Sequence, residues 1–154
     1  MNTFESADAL LTQQLGSDVI IALATRTEDG VNVRTVDGYY KNGSIYVVTY
    51  EASHKMQEIK ADRHVAVCKD LMCAQGIGIN LGSPRLAHNK ALREELKEVF
   101  SAFYDRHVNE DDPLTCILEI QLTNAVAFSK DTKYRIDFIN KTATAAPFVN
   151  DIVE

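Results

Sequence analysis

The spacing of apolar residues along the chain predicts short strands, tight turns and few helices. Near the beginning, apolar residues at helical spacing stop before Gly16 and predict a short amphipathic helix: Phe4, Ala7, Leu11 and Leu15. Residues 18–26 are rich in β-branched side chains and are apolar at both odd and even positions, which indicates a strand covered on both faces. The dipeptides Asp29-Gly30 and Asn42-Gly43 are typical of type I′ turns and predict a three-stranded antiparallel meander up to residue 50.

The rest of the chain predicts further strands around two helices. A short helix is expected over residues 53–61, with Ser53 as its N-cap. A longer helix is expected from Asn89 to His107, and its apolar stripe consists of Leu92, Leu96, Val99, Phe100 and Phe103. Strands are expected at 64–68, 75–81, 114–122 and 133–138, followed by a tail. About six strands and few helices indicate a mainly β fold, an antiparallel closed or split barrel with outer helices, in one domain over residues 1–154.

Composition narrows the class of protein. The 154 residues are 45% apolar and 25% charged, as in soluble globular proteins, and the net charge of −6 disfavours non-specific nucleic-acid binding. No apolar run approaches the ~20 residues that cross a bilayer, and the first residues lack the features of a signal peptide. The three cysteines form no C-x-x-C pair and the four histidines are scattered, so neither a disulfide scaffold nor a metal site is expected. We therefore expect a cytoplasmic protein without metal, membrane or nucleic-acid partners.

The second turn predicts a register for the meander. If Asn42-Gly43 is a two-residue loop, Lys41 pairs with Ser44. Counting back along both strands then gives the pairs Val36 with Thr49, Thr35 with Tyr50 and Arg34 with Glu51. Arg34 would thus lie level with the end of the third strand, next to the beginning of the short helix.

This arrangement is typical of a site for a phosphate monoester. The guanidinium of Arg34 offers a bidentate fork, Lys55 adds a point charge, and Ser53 lies at a helix N-terminus whose free N–H groups favour an anion. The residues alone leave a second interpretation open. In it, Ser53 is only a helix cap, Arg34 only pairs with Glu51, and Lys55 is a solvated residue of the first turn.

Several segments in this order resemble the pyridoxamine 5′-phosphate oxidase-like family of FMN-binding split barrels. They are Leu23-Ala-Thr, Asp29-Gly-Val-Asn-Val-Arg-Thr-Val36, Asn42-Gly-Ser-Ile-Tyr-Val-Val-Thr49, Ser53-His-Lys55, Ile59 and Val65-Ala-Val. The resemblance covers about residues 18–82, and the order of strands and helices continues to about residue 140. It implies homodimers with the flavin at the subunit interface. The residues that it assigns to FMN are Arg34, Thr35, Val36, Thr49, Ser53, Lys55 and Gln75.

Departures from that family change the expected activity. His54 stands where true pyridoxamine phosphate oxidases have an arginine, and Tyr39 stands where they have a lysine. Their substrate-phosphate cluster has no match, so vitamin B6 oxidation is not expected. The chain looks more similar to the short branch that contains nitroimidazole-resistance reductases and general stress flavoproteins.

The expected function is an FMN-dependent oxidoreductase. It would pass electrons from a reduced nicotinamide or similar donor to a nitroaromatic or quinone acceptor, with FMN carrying the redox chemistry. No catalytic acid or base is assigned. The alternatives are a flavin-binding stress or sensor protein without turnover, and a relative that binds heme or a deazaflavin instead.

A homodimer is also favoured by four amphipathic tyrosines, unless they pack on the chain's own helices: Tyr39, Tyr40, Tyr46 and Tyr50.

Cys73, close to Gln75, is expected to be a buried small apolar residue rather than a reactive thiol.

Overall fold

The computed structural model describes residues 1–149 and is mainly antiparallel β. The helices are α1 (Thr3–Leu15), α2 (His54–Ala61), α3 (Lys90–Val99) and α4 (Tyr104–His107). The strands are β1 (Val19–Arg26), β2 (Val31–Lys41), β3 (Ser44–Tyr50), β4 (His64–Lys69), β5 (Met72–Asn80), β6 (Thr115–Phe128), β7 (Thr132–Asp137) and β8 (Thr142–Pro147). Within this part of the chain no helix is both long and apolar enough to cross a membrane.

Six strands close a barrel in the order β3-β2-β1-β4-β5-β6, because β6 also pairs with β3. The expected antiparallel split barrel with outer helices is therefore confirmed. The barrel is split along the long strand β6. The first half of β6 pairs with β3 and its second half pairs with β7, while β5 pairs along the other edge of β6. Strands β7 and β8 extend the sheet outward from this point.

Helix α1 forms as its apolar spacing predicts. The side chain of Asn2 accepts a hydrogen bond from the Glu5 amide at 2.8 Å, and the helix ends at Gly16. Its apolar face is buried in the barrel core through Ala7, Leu11 and Leu15.

The predicted helix from Asn89 to His107 is broken in the structure. A 3-10 turn at Ala87–Asn89 precedes α3, and a non-helical segment separates α3 from α4. The Ser101 amide bonds to the Glu98 carbonyl, three residues back, so the backbone tightens there. A 3-10 helix has about three residues per turn and an α-helix about 3.6. Over so short a segment both place the same apolar residues on one face, so their spacing in the sequence could not reveal the break.

The predicted register of the β2–β3 hairpin holds only near the turn. Lys41 pairs with Ser44 as expected, and the ladder continues for two pairs to Tyr39 and Tyr46. Beyond them, β2 pairs with β1 alone and β3 pairs with β6, because β3 turns away to close the barrel. The three further predicted pairs are wrong: Val36 with Thr49, Thr35 with Tyr50 and Arg34 with Glu51.

The predicted tail contains a strand. Residues Thr142–Pro147 form β8, which pairs along its whole length with β7. Small side chains dominate this segment, and most are exposed, so it lacks the alternation that identifies a strand from sequence. Its strand conformation comes from pairing with β7 rather than from local propensity.

Candidate functional site

Arg34 links β2 to helix α2. It lies opposite Leu23 of β1, and its guanidinium donates to the Leu23 carbonyl at 3.2 Å and to the Thr25 hydroxyl at 2.7 Å. Its second terminal nitrogen is 3.5 Å from a carboxylate oxygen of Glu58 on α2. Arg34 therefore reaches the short helix as the anion-site hypothesis requires, but its acidic neighbour is Glu58 rather than Glu51.

Glu58 is the main residue that sequence reasoning missed here. Its carboxylate accepts hydrogen bonds from Asn32 at 2.6 Å and from Thr25 at 2.7 Å. These bonds, with Arg34, hold the pKa of Glu58 below its usual value, so it is ionised at neutral pH. Glu58 lies one helical turn after Lys55, and this spacing is the one sequence signal that could have placed it beside the site.

Ser53 and Lys55 occupy the beginning of α2 without partners of their own. Ser53 stands at the N-cap position, yet its side chain makes no capping bond, and its hydroxyl oxygen is buried without a partner among residues 1–149. The expected cap bond is therefore absent. Lys55 is half-buried, and no described carboxylate lies within ion-pair distance of its ammonium group. Burial and the nearby Arg34 lower the pKa of Lys55, which is the effect of a desolvated cation beside another cation.

Thr49 comes to the same end of the barrel through β3. It pairs with Cys116 of β6, and the Cys116 thiol lies close enough to interact with Lys55. Burial raises the pKa of Cys116 to about 11, with the nearby Glu51 acting in the same direction, so this thiol stays protonated. The structure thus gathers four of the seven predicted residues around the N-terminus of α2: Arg34, Thr49, Ser53 and Lys55.

The other three predicted residues lie on β2 and β5, and of these Val36 shares the face of β2 that carries Arg34. Thr35 is exposed on the outer face of β2, while Val36 follows on the opposite face, since side chains alternate along a strand. Gln75 is exposed on β5, where its side-chain oxygen accepts from Asn124 at 3.2 Å. A β-bulge between Gln75 and Gly76 shifts the register there.

Gln75 lines a cavity of about 740 Å³ on the outer side of the barrel. Apolar residues of four strands and of the β7–β8 turn contribute to its wall: Ala24, Val31, Val65, Ala66, Ile77 and Ile139. Thr25 also lines it, and the same Thr25 hydroxyl contacts both Arg34 and Glu58. Thr25 is fully buried and its side chain faces Arg34 and Glu58, so the cationic cluster and the cavity lie on opposite faces of β1 at this residue, since side chains alternate along a strand.

The tyrosines that were expected to face a partner are engaged within the chain. Tyr40 is buried and hydrogen-bonds to Asp8 of α1, and Tyr39 donates to Glu95 of α3 at 3.1 Å. Tyr46 donates to a glutamate of β6 at 3.2 Å. These three tyrosines give no support to a homodimer, since their polar ends are already satisfied.

No family model and no curated protein sequence matches the chain, whereas many solved structures do. A FAD-binding protein from Mesorhizobium loti shares 17% identity and a TM-score of 0.61, over 81% of this chain and 92% of that one. A NimC/NimA family protein from Clostridium acetobutylicum shares 14% identity and a TM-score of 0.58, over 96% and 95%. A heme-binding protein from Mycobacterium smegmatis shares 10% identity and a TM-score of 0.67, over 92% of this chain and 60% of that one.

These likenesses confirm the resemblance inferred from the sequence at the level of the fold. The chain has the same split-barrel fold as these proteins, which is the fold that the sequence resemblance implies. At 10 to 17% identity a shared fold does not carry a shared cofactor or reaction, so both are argued from the site itself.

Proposed function

We propose that this protein binds FMN and is a flavin-dependent oxidoreductase. The observation that supports this most strongly is a pair of groups at the beginning of α2 that have no partner among residues 1–149, the buried hydroxyl of Ser53 and the half-buried ammonium of Lys55. A phosphate would satisfy both at once, together with the free N–H groups of the first helical turn. Structural capping alone does not account for them, because the side chain of Ser53 makes no cap bond.

The remaining predicted residues would hold the rest of the cofactor. Arg34 and Thr49 would add contacts to the phosphate, and Gln75 with the apolar cavity wall would receive the rings. When bound, FMN supplies the transfer of electrons, and the chain supplies binding, orientation and a water-poor surface. Glu58 keeps the guanidinium of Arg34 in place, whereas Lys55 has no carboxylate partner in the described part of the chain. The donor we propose is a reduced nicotinamide or similar molecule, and the acceptor is a nitroaromatic or a quinone.

Cofactor binding and turnover need separate tests. Titration with FMN, followed by quenching of its fluorescence, tests binding, and riboflavin tests the contribution of the phosphate. Oxidation of NADH or NADPH by the FMN-loaded protein, with and without a nitroaromatic or quinone, then tests turnover. A protein that quenches neither ligand contradicts the proposal, whereas FMN binding without NAD(P)H oxidation favours the non-catalytic flavin-binding alternative.

A heme or deazaflavin cofactor is the second candidate. The likeness to the Mycobacterium smegmatis heme-binding protein favours heme of these two, although this chain spans only 60% of that protein's length. The absorbance spectrum and the mass of the small molecule that co-purifies with the protein distinguish heme, deazaflavin and FMN.

We also propose that the protein is a homodimer, on different grounds from the tyrosines. Val31 and Val33 on the outer face of β2 are each 69% exposed, and they adjoin a shallow groove whose lining includes the small residues Ala22, Ala24 and Ala66. Exposed valines next to a small-residue surface suit close approach of a second copy or a flat ligand. A sedimentation experiment that finds only a 17.2 kDa monomer with FMN fully bound would contradict this part of the proposal.

A further inference from the structure

Two cysteines face each other on the outer surface of the barrel. Cys68 of β4 and Cys73 of β5 are direct partners in the antiparallel ladder, and their sulfur atoms are 3.7 Å apart. Both are free thiols and both are exposed. The expectation that Cys73 is a buried apolar residue is therefore wrong.

The backbone geometry around this pair suits a disulfide bond. The two-residue turn Asp70-Leu71 closes the hairpin, with Asp70 at a φ of 52° and Lys69 paired with Met72. The pair next to a two-residue turn is hydrogen-bonded, so the following pair, Cys68 and Cys73, is of the non-hydrogen-bonded kind. Cα atoms of such pairs are typically about 4.5 Å apart, within the range of about 4.4–6.8 Å found for disulfides. Rotation of the two side chains is then enough to form the bond.

The surroundings leave the pair accessible to small molecules. It lies at the turn end of a groove that it shares with Val33 and Gln75, and Leu71 in the turn is 53% exposed. Burial and the neighbouring Cys73 raise the pKa of Cys68, so at neutral pH its protonated form dominates and exchange accelerates with rising pH. The third cysteine, Cys116, is only 1% exposed.

We propose that Cys68 and Cys73 form a reversible dithiol–disulfide pair that is oxidised by low-molecular-weight disulfides. The thiolate of one cysteine attacks a sulfur of the small disulfide, forms a mixed disulfide and releases one small thiol. The second cysteine loses its proton and attacks the protein sulfur of that mixed disulfide, which forms the intrachain bond and releases the second small thiol. Two protein thiols are oxidised and one small disulfide is reduced to two thiols. The proposal depends on neither FMN nor a dimer.

The test uses the purified full chain, fully reduced and then exposed to glutathione disulfide. We expect the number of titratable thiols in the denatured protein to fall from three to one, with loss of two hydrogen atoms from the intact mass and no adduct. Trypsin cleaves after Lys69, so the two cysteines fall in separate peptides, 64–69 and 70–85. These peptides should appear joined in the non-reduced digest and separate after reduction.

Variants distinguish the pair from general thiol oxidation. Cys68→Ser and Cys73→Ser should each keep one glutathione as a stable adduct, because no opposite thiol is left to displace it. Cys116→Ser should form the intrachain bond like the wild type. If wild-type protein accumulates a lasting adduct, keeps three thiols or links Cys116 to another cysteine, the proposal is wrong. The peptide map of the wild-type protein tests the proposed disulfide even if a variant does not fold.

Discussion

Replacing Lys55 by methionine separates the phosphate contact from every other role of helix α2. Methionine keeps an unbranched apolar side chain of similar length and removes only the charge. A hydrogen bond to a charged group contributes about 1.5–3 kcal/mol, which corresponds to roughly 10- to 100-fold in Kd at 1.4 kcal/mol per tenfold. Lys55→Met should therefore weaken FMN binding by roughly 10- to 100-fold and leave the weaker riboflavin binding nearly unchanged.

The same substitution should not destabilise the ligand-free protein. Lys55 is a half-buried cation next to Arg34, with no carboxylate partner in the described part of the chain, and both burial and Arg34 lower its pKa. Removing such a charge relieves desolvation and repulsion, so the free energy of unfolding without ligand should stay equal or rise. A gain in stability with a loss in FMN affinity is characteristic of a residue kept for binding.

Lys60 provides the matched control for this experiment. It lies on the same helix, in its last turn, and is exposed. Lys60→Met should change the affinity for FMN by less than about twofold, because an exposed charge contributes little. The assay is fluorescence titration of both variants with FMN and riboflavin, together with thermal melts without ligand. Equal losses for FMN and riboflavin in Lys55→Met, or equal effects of the two variants on FMN, would refute a phosphate contact by Lys55.

Three further predictions follow from single residues. Arg34→Ala should weaken FMN binding by about 30-fold or more, since breaking a desolvated charge contact costs about 2–5 kcal/mol, while riboflavin titration should change far less. Gly76→Ala should lower the melting temperature strongly, because its new Cβ would lie 2.7 Å from the Gln121 carbonyl oxygen, and the matched Gly30→Ala, whose Cβ would meet nothing closer than 3.5 Å, should not. Burial and the neighbouring Asp37 raise the pKa of Asp18 from 3.8 to about 6, so the folded protein loses stability as pH rises between these values. Asp18→Asn should accordingly have a higher melting temperature than the wild type above about pH 6 and the same melting temperature below about pH 4. An equal difference in melting temperature at the two pH values would contradict the raised pKa of Asp18.

Short-range signals in the sequence located the elements that carry the site. The turn at Asn42-Gly43 predicts the Lys41–Ser44 pair, and the apolar spacing predicts α1 and α2 close to their observed bounds. Such signals depend on residues within one turn or one helix, where dihedral preferences and side-chain periodicity act locally. The placement of Ser53 and Lys55 at the beginning of a helix was therefore available from sequence alone.

The tertiary structure decided which of these residues meet. The pairing of β3 with β6 closes the barrel between segments about 70 residues apart, and it ends the β2–β3 ladder well before Arg34. The contact of Arg34 with Glu58 and the opposition of Cys68 and Cys73 likewise depend on how strands and helix are brought together. Partners across a closed barrel are chosen by burial of the whole core and by strand register, and neither is encoded in the residues next to the contact. For that reason the sequence identified the groups that suit a phosphate, and only the folded chain revealed which of them have no partner within residues 1–149.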